Sequence, residues 1–189
     1  MENSKNIEPS RTSQDLHPSD CFACGLENEK SLKVSILFDE KTGETKFIHK
    51  FCGHETGALG KIRLVHGGAI AAILDEAQGV LAHHIGHLVM TDTLNLKYHK
   101  GTPIGEPVEI HAWITAVRKR RLYTKATLKS LSGELLVSSS GRWYILPDRM
   151  RERIDKEING IVRGYHNDLM DANRQRAKKI RKSLKQKNS

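Results

Sequence analysis

The residues best able to do chemistry gather on one stretch of predicted helix between positions 67 and 85. Ile70, Ile73, Leu74, Ala77 and Leu81 recur there at helical spacing and define one apolar face. Gly68, Ala72, Asp75 and Gly79 recur on the other side, a stripe of small residues holding a single carboxylate. A helix that merely lies on a sheet normally shows solvated Lys and Glu in that position. The plain alternative is a buried helix with a solvated Asp. A carboxylate among small residues more often has a partner or a task. Glu76 is the rival acid, about 100° further round the helix and facing less of the stripe. Just upstream, Val65-His66-Gly67-Gly68-Ala69-Ile70 opens the helix. Its first turn offers unpaired N–H groups and the positive end of the helix dipole, a site for an oxyanion or a polarised carbonyl. The glycines let another molecule come close. A fixed N–H donor and a carboxylate base are the parts that hydrolysis of an activated carbonyl requires.

Spacing limits how these parts can cooperate. Gly67 and Asp75 lie about 12 Å apart along a helix that rises ~1.5 Å per residue. They cannot reach one carbonyl from the same chain. Two copies of the helix lying side by side could do so, one lending its N-terminus and the other its carboxylate. The expected assembly is a two-fold homodimer with composite sites, with a tetramer as a further possibility.

The elements that must position these groups follow from periodicity. Residues 31–38 and 44–50 read as two strands around the turn Asp39-Glu-Lys-Thr-Gly43. Four strand-like runs follow the helix, at 88–99, 107–117, 122–131 and 134–146, with turn signals between them. One apolar face per strand suits an antiparallel sheet covered on one side. The fold class is α+β, a sheet wrapped around one long central helix. The chain divides into a disordered lead-in over 1–20, a domain over 21–147, and an amphipathic helical extension with a basic tail over 148–189.

Composition excludes several functions. Of the net charge of +9, the segment 172–189 supplies eight basic residues and no acid, leaving 23 basic against 22 acidic in the rest. The body is nearly neutral, so no specific nucleic-acid binding is expected. No stretch approaches the ~20 apolar residues of a membrane span, and the N-terminal residues lack the apolar core of a signal peptide. Three cysteines are too few for a disulfide scaffold, which points to the cytoplasm. The tail reads as a solubilising end or as an electrostatic attachment to an acidic membrane or, without sequence preference, to nucleic acid.

Leu64-Val-His-Gly-Gly-Ala-Ile-Ala-Ala-Ile-Leu-Asp-Glu-Ala77, with nine residues from His to Asp, resembles the signature of hot-dog-fold acyl-CoA thioesterases of the PaaI type. Met90-Thr91 followed by Leu94-Asn-Leu-Lys-Tyr98 resembles that group's strand after the helix. Cys21-Phe-Ala-Cys-Gly25 resembles the opening of many bacterial members, and Ser132-Gly-Glu-Leu-Leu-Val-Ser-Ser-Ser-Gly141 fits their last hairpin. The likeness covers residues 21–146 and leaves out the basic tail, for which it adds acidic acyl carrier protein as a third expected contact. It implies a hot-dog fold and hydrolysis of a fatty or aryl acyl-CoA without cofactor or metal. The Gly67 N–H would polarise the thioester carbonyl, with His66 shaping that end. Asp75 of the partner subunit would act as base or nucleophile, and Thr91 would hold the water. Some members carry an Asn six residues before the His, where this chain has Gly60. The alternative from another class is a non-catalytic acyl-CoA sensor. A hot-dog dehydratase is disfavoured because its His/Glu pattern is not evident on the helix.

Other candidates are secondary. CoA phosphates call for basic residues near the site: Arg118-Lys-Arg-Arg121, and Lys97 and Lys100, beside Gly68 at the substrate end. Cys21 and Cys24 with Cys52 and His54 could in principle hold zinc, but a single CxxC is a weak signal and no metal is expected. His83, His84 and His87 sit favourably at a helix C-terminus without needing a metal. Ser138–Ser140 shows no apparent base or glycine elbow, so serine hydrolase chemistry is not expected.

Overall fold

The computed structural model describes residues 12–39, 42–59, 61–84 and 87–150, with the isolated positions 153, 182 and 186. Residues 1–11 of the expected lead-in and most of the extension after 150, with most of its basic tail, lie outside the described residues. Among the described residues eight strands and two α-helices follow in order: α1 (Ser13–Leu16), β1 (Phe38–Asp39), β2 (Glu44–Lys50), β3 (Thr56–Leu59), β4 (Ile62–Val65), α2 (Gly67–His84), β5 (Val89–Tyr98), β6 (Pro107–Arg118), β7 (Arg121–Ser130) and β8 (Leu135–Ile145). Six strands form one antiparallel sheet in the order β1-β2-β6-β7-β8-β5. β3 and β4 make a separate hairpin that leads into α2. Asp148–Met150 opens a helical turn. This is the hot-dog fold: a curved sheet around a central helix.

The apolar face of α2 is what the sheet encloses. Ile70, Ile73, Leu74, Ala77 and Leu81 are all buried, packed with Val108, Ile110, Leu122, Leu128, Val137 and Trp143. In β7 and β8 alternate residues turn inward, Leu122 to Leu128 on one strand and Val137 to Ile145 on the other. Their neighbours form the outer face.

Two expectations change. Residues 32–36 alternate in burial as a strand would, yet belong to no ladder. The segment 12–24 takes their backbone groups instead. Leu32 and Val34 donate to the carbonyls of Phe22 and Ala23, and Ser13 donates to the Ile36 carbonyl. Where a disordered lead-in is expected, Thr12, Ser13, Gln14 and His17 pack toward the core, Ser13 fully buried, while residues 18–20 are exposed. The stretch after Cys52 holds a short helical turn at Gly53–Glu55 and the β3–β4 hairpin.

A buried polar network crosses from helix to sheet. Gln78 is fully buried, and its Nε2 donates to the Leu74 carbonyl and to Ser139 Oγ, both at 2.9 Å. Its Oε1 accepts from Thr124 Oγ1 at 2.8 Å, and Thr124 in turn accepts from Trp143 Nε1 at 2.8 Å. From the other side Thr45 Oγ1 donates to the Ala77 carbonyl at 3.2 Å. Satisfied polar groups of this kind specify one rotation and one axial position for the helix.

β5 contributes a second device. Its pairing with β8 slips between Thr91 and Thr93, so that Asp92 is the extra residue of a bulge. Leu94 faces inward and Thr93 outward. Strict alternation would send Thr91 outward as well, and the bulge returns it to the helix side.

Gln78→Leu would keep the volume but leave Ser139 and Thr124 short of partners. The expected loss is about 1–3 kcal/mol of unfolding free energy by denaturant titration. An unchanged midpoint would mean that apolar packing alone holds the helix.

Candidate active site

The start of α2 is built by His66. Its Nδ1 accepts from the Gly68 N–H at 2.9 Å, while its carbonyl accepts from Ala69 and Ile70 at 3.0 and 3.2 Å. His66 thus caps the helix with side chain and backbone together. Its own N–H donates to the Glu55 carbonyl, which ties the cap to the loop before β3. Of the first-turn donors, the Gly67 N–H alone has no hydrogen-bond partner among the described residues. The Gly67 carbonyl is held by the Tyr98 hydroxyl at 2.8 Å. Gly67, Ile70, Tyr98, Lys100 and Thr102 line a cavity of about 320 Å³ at this end. Lys100 is paired with Glu134 at its rim.

Two turns on, Asp75 is half-buried. Thr91 Oγ1 donates to its Oδ1 at 3.1 Å, with Oδ2 at 3.4 Å. Burial raises the Asp75 pKa above the ordinary 3.8, the Thr91 hydrogen bond opposes this, and the neighbouring charge of Glu76 adds to the rise. The two acids diverge: Glu76 is buried on another side of the helix, against His17.

The small-residue stripe has two causes. At Gly79 the close approach comes from within the chain, since a Cβ there would lie 3.2 Å from the Trp143 ring. At the other end Gly68 is exposed and Ala72 half-buried. Only that N-terminal part remains available to a second molecule.

The basic candidates separate. Arg118, Lys119 and Arg120 are exposed in the turn between β6 and β7. Arg121 pairs with Asp92 at 3.2 Å and stacks on Tyr144 at 4.8 Å. Arg142 also holds Asp92, at 2.8 Å, so the bulge beside Thr91 is gripped by two guanidinium groups. Lys97 lies elsewhere. It is in register with Ser138 on the outer face, because Leu96 and Tyr98 take the helix side. There it borders a groove of about 320 Å³ with Trp113, Lys125 and Ser140. It does not share a face with Gly67 and Asp75.

Ser138 does have a base within reach, contrary to expectation: His99 Nε2 is 2.9 Å from its Oγ. The pair is exposed on the outer face. Ser139 is instead part of the Gln78 network. The side chains of His83 and His84 lie outside the described residues. Cys52 and His54 do not join Cys21 and Cys24; a different set, His17, Cys21, Cys24 and Glu76, brings one ligand atom each within 4.8 Å of the others.

A sequence profile of the thioesterase superfamily matches residues 63–137, the span from β4 through α2 to β8. The chain belongs to the thioesterase superfamily. Among curated proteins it is similar to the acyl-coenzyme A thioesterase THEM4 of mouse, 32% identical over 67% of this chain, and to that of rat, 29% identical over 67%. The chain spans about half the length of these relatives, 54% in each case. The crystal structure of a thioesterase superfamily protein superposes with a TM-score of 0.59 at 26% identity, covering 68% of this chain and 63% of that one. The Bacillus halodurans protein BH2602, solved with CoA, shares the fold with a TM-score of 0.53 at 23% identity, over 61% and 76% of the two chains. No helix among the described residues is long and apolar enough to cross a membrane.

Within this superfamily frame, sequence reasoning missed two supports. Tyr98, which fixes Gly67, ended a strand motif without a role. Gln78 lies inside the apolar arc, four residues after Leu74 and three before Leu81, and a lone amide there is the signal that could have found it.

Because the folded chain binds the Asp75 proton more tightly than an unfolded carboxylate does, the ionised group opposes folding at neutral pH. Asp75→Asn is expected to raise Tm at pH 7. The gain should shrink as pH falls through the folded pKa and vanish below the ordinary carboxylate value. A gain of equal size at low pH would assign it to something other than charge.

Proposed function

We propose that this chain is an acyl-CoA thioesterase that works as a homodimer, each site combining Gly67 of one subunit with Asp75 and Thr91 of the other. The observation that carries the reading is the pairing of a half-buried, hydroxyl-bonded carboxylate with an unclaimed N–H at the start of the same helix. The two are too far apart to meet within one chain. The names of the mammalian relatives support the substrate class.

The edge of the sheet supports the two-fold. β5 is ten residues long, ends the strand order, and has exposed Met90 and Tyr98 near its ends. A long open edge is a template for pairing with another chain. Antiparallel pairing of β5 with a second β5 would set the two α2 helices side by side in opposite directions. The N-terminus of each would then approach the middle of the other.

In that arrangement the Gly67 N–H donates to the thioester oxygen. The carboxylate of Asp75 takes a proton from water, and the resulting hydroxide adds to the carbonyl carbon. The tetrahedral oxyanion collapses, the C–S bond breaks, and the proton on Asp75 passes to the departing CoA sulfur. Direct attack by Asp75, followed by hydrolysis of the anhydride, gives the same products. The Thr91 hydroxyl has one proton, given to Asp75, and lone pairs left to accept from the water. One oxyanion donor commonly contributes ~2.7–4 kcal/mol to lowering the barrier. The exposed Arg118 and Arg120 of the β6–β7 turn, and Lys100 near Gly67, supply positive charge for the CoA phosphates.

Asp75→Ala should abolish hydrolysis of acyl-CoA while leaving a folded dimer. Near-normal turnover would refute the base, and acyl-CoA binding by a wild-type chain that never turns over would favour a sensor. Gly67→Pro removes one N–H at a position where proline suits a helix, and should also be inactive. Refolding the two variants together should restore about a quarter of the wild-type activity, since half the dimers regain one intact site. No recovery, with mixed dimers demonstrated, would remove the composite site.

Neutralising Arg118 and Arg120 should raise KM for acyl-CoA more than for a truncated thioester. An equal change for both would leave these residues as a solvated turn.

A further inference from the structure

Away from Asp75, four side chains that the mechanism does not use converge under the N-terminal segment. His17 Nδ1 lies 2.8 Å from Glu76 Oε1 and 3.2 Å from Cys24 Sγ, and Cys21 Sγ is 3.9 Å from the same nitrogen. One donor atom from each residue falls within 4.8 Å of all the others. Cys24 is fully buried, and Glu76 is nine-tenths buried. Glu76 Oε1 faces His17 across that short separation, inside the same cluster. A buried carboxylate oxygen, two sulfurs and an imidazole nitrogen converging on one point make a donor set that a metal ion can occupy.

The local backbone has the form a metal knuckle needs. Cys21 and Cys24 bracket a tight turn in which the Gly25 N–H donates to the Cys21 carbonyl at 2.9 Å. Gly25 is required by close approach: a Cβ there would sit 2.4 Å from the Cys21 nitrogen and 2.4 Å from the Ser19 carbonyl oxygen. Lys33 closes the back of the turn, its ammonium donating to the carbonyls of Gly25 and Leu26.

We propose that His17, Cys21, Cys24 and Glu76 form a four-coordinate site for a single divalent zinc ion. Two thiolates, one imidazole and one carboxylate match the ligand preferences of zinc. In a tetrahedral zinc site with such ligands the donor atoms stand about 3.3–3.8 Å apart, within the range spanned by the convergent atoms here. With all four positions taken by protein the site is closed, so its role is structural. Binding releases the thiol protons to solvent and changes no oxidation state. It ties the segment carrying α1 to α2 at Glu76, the residue next to Asp75, and therefore adds a fixed point to the turn that presents the candidate base. The site stands independently of the thioesterase reading.

The full chain, purified from zinc-supplemented culture and dialysed without chelator, should carry about one zinc ion per chain by elemental analysis. Cys24→Ser and Glu76→Gln should lose it, whereas Cys52→Ser should retain it. Replacement by cobalt(II) should give the intense absorption of a tetrahedral thiolate complex in the wild type and in Cys52→Ser. A chelator should lower the Tm of the wild type, a readout that needs no variant to fold. A wild type that neither contains zinc nor takes up zinc or cobalt after reduction would overturn the site. So would zinc content that persists when Cys21 and Cys24 are both serine.

Discussion

The rotation of α2 about its own axis is the constraint on which the rest depends. An apolar face alone would tolerate small rotations and slides, since hydrophobic contact is not directional. Gln78 removes that freedom, because its amide must meet Leu74, Ser139 and Thr124 at once. Thr45 adds a bond to the Ala77 carbonyl from the opposite side of the sheet. Once these bonds are made, Asp75, one turn earlier, can only face Thr91.

With the rotation fixed, successive residues of one turn are given to different environments. Leu74 enters the core, Asp75 meets the hydroxyl of β5, Glu76 turns to the N-terminal segment and Ala77 returns to the core. The two adjacent acids are therefore not interchangeable. One is half-open with a single hydroxyl partner, which suits a group that must exchange protons. The other is closed among sulfur and imidazole, which suits a group that must not.

Much of this was legible in the residues. The helix from Gly67 and the four strands after it follow from spacing, the signature around His66 and Asp75 from its resemblance to a known family, and the strand limits fall within a residue or two of those expected. What could not be read depends on contacts between distant parts of the chain. Residues 31–38 alternate as a strand does, but their hydrogen-bonding partners are Phe22 and Ala23 of the Cys21–Gly25 motif and Ser13, the last from a segment whose polar composition suggested disorder. Cys21 and Cys24 were visible as a pair, yet Glu76 lies far along the chain from them, and only folding shows that it, rather than Cys52, is their neighbour. Lys97 was grouped with the site by charge, although the period of the strand sends it to the outer face. The cap formed by His66 Nδ1 on Gly68 could not be distinguished from a free imidazole without the backbone in view.

The bulge at Asp92 makes the site sensitive to chain length rather than to side-chain chemistry. Loss of that one codon would leave every other residue intact and the strand still able to zip against β8. Parity would then be restored along the ribbon, and the Thr91 hydroxyl would emerge on the opposite surface, leaving Asp75 facing a gap. Asp92, clasped by Arg121 and Arg142, is in this sense a spacer whose presence matters more than its charge.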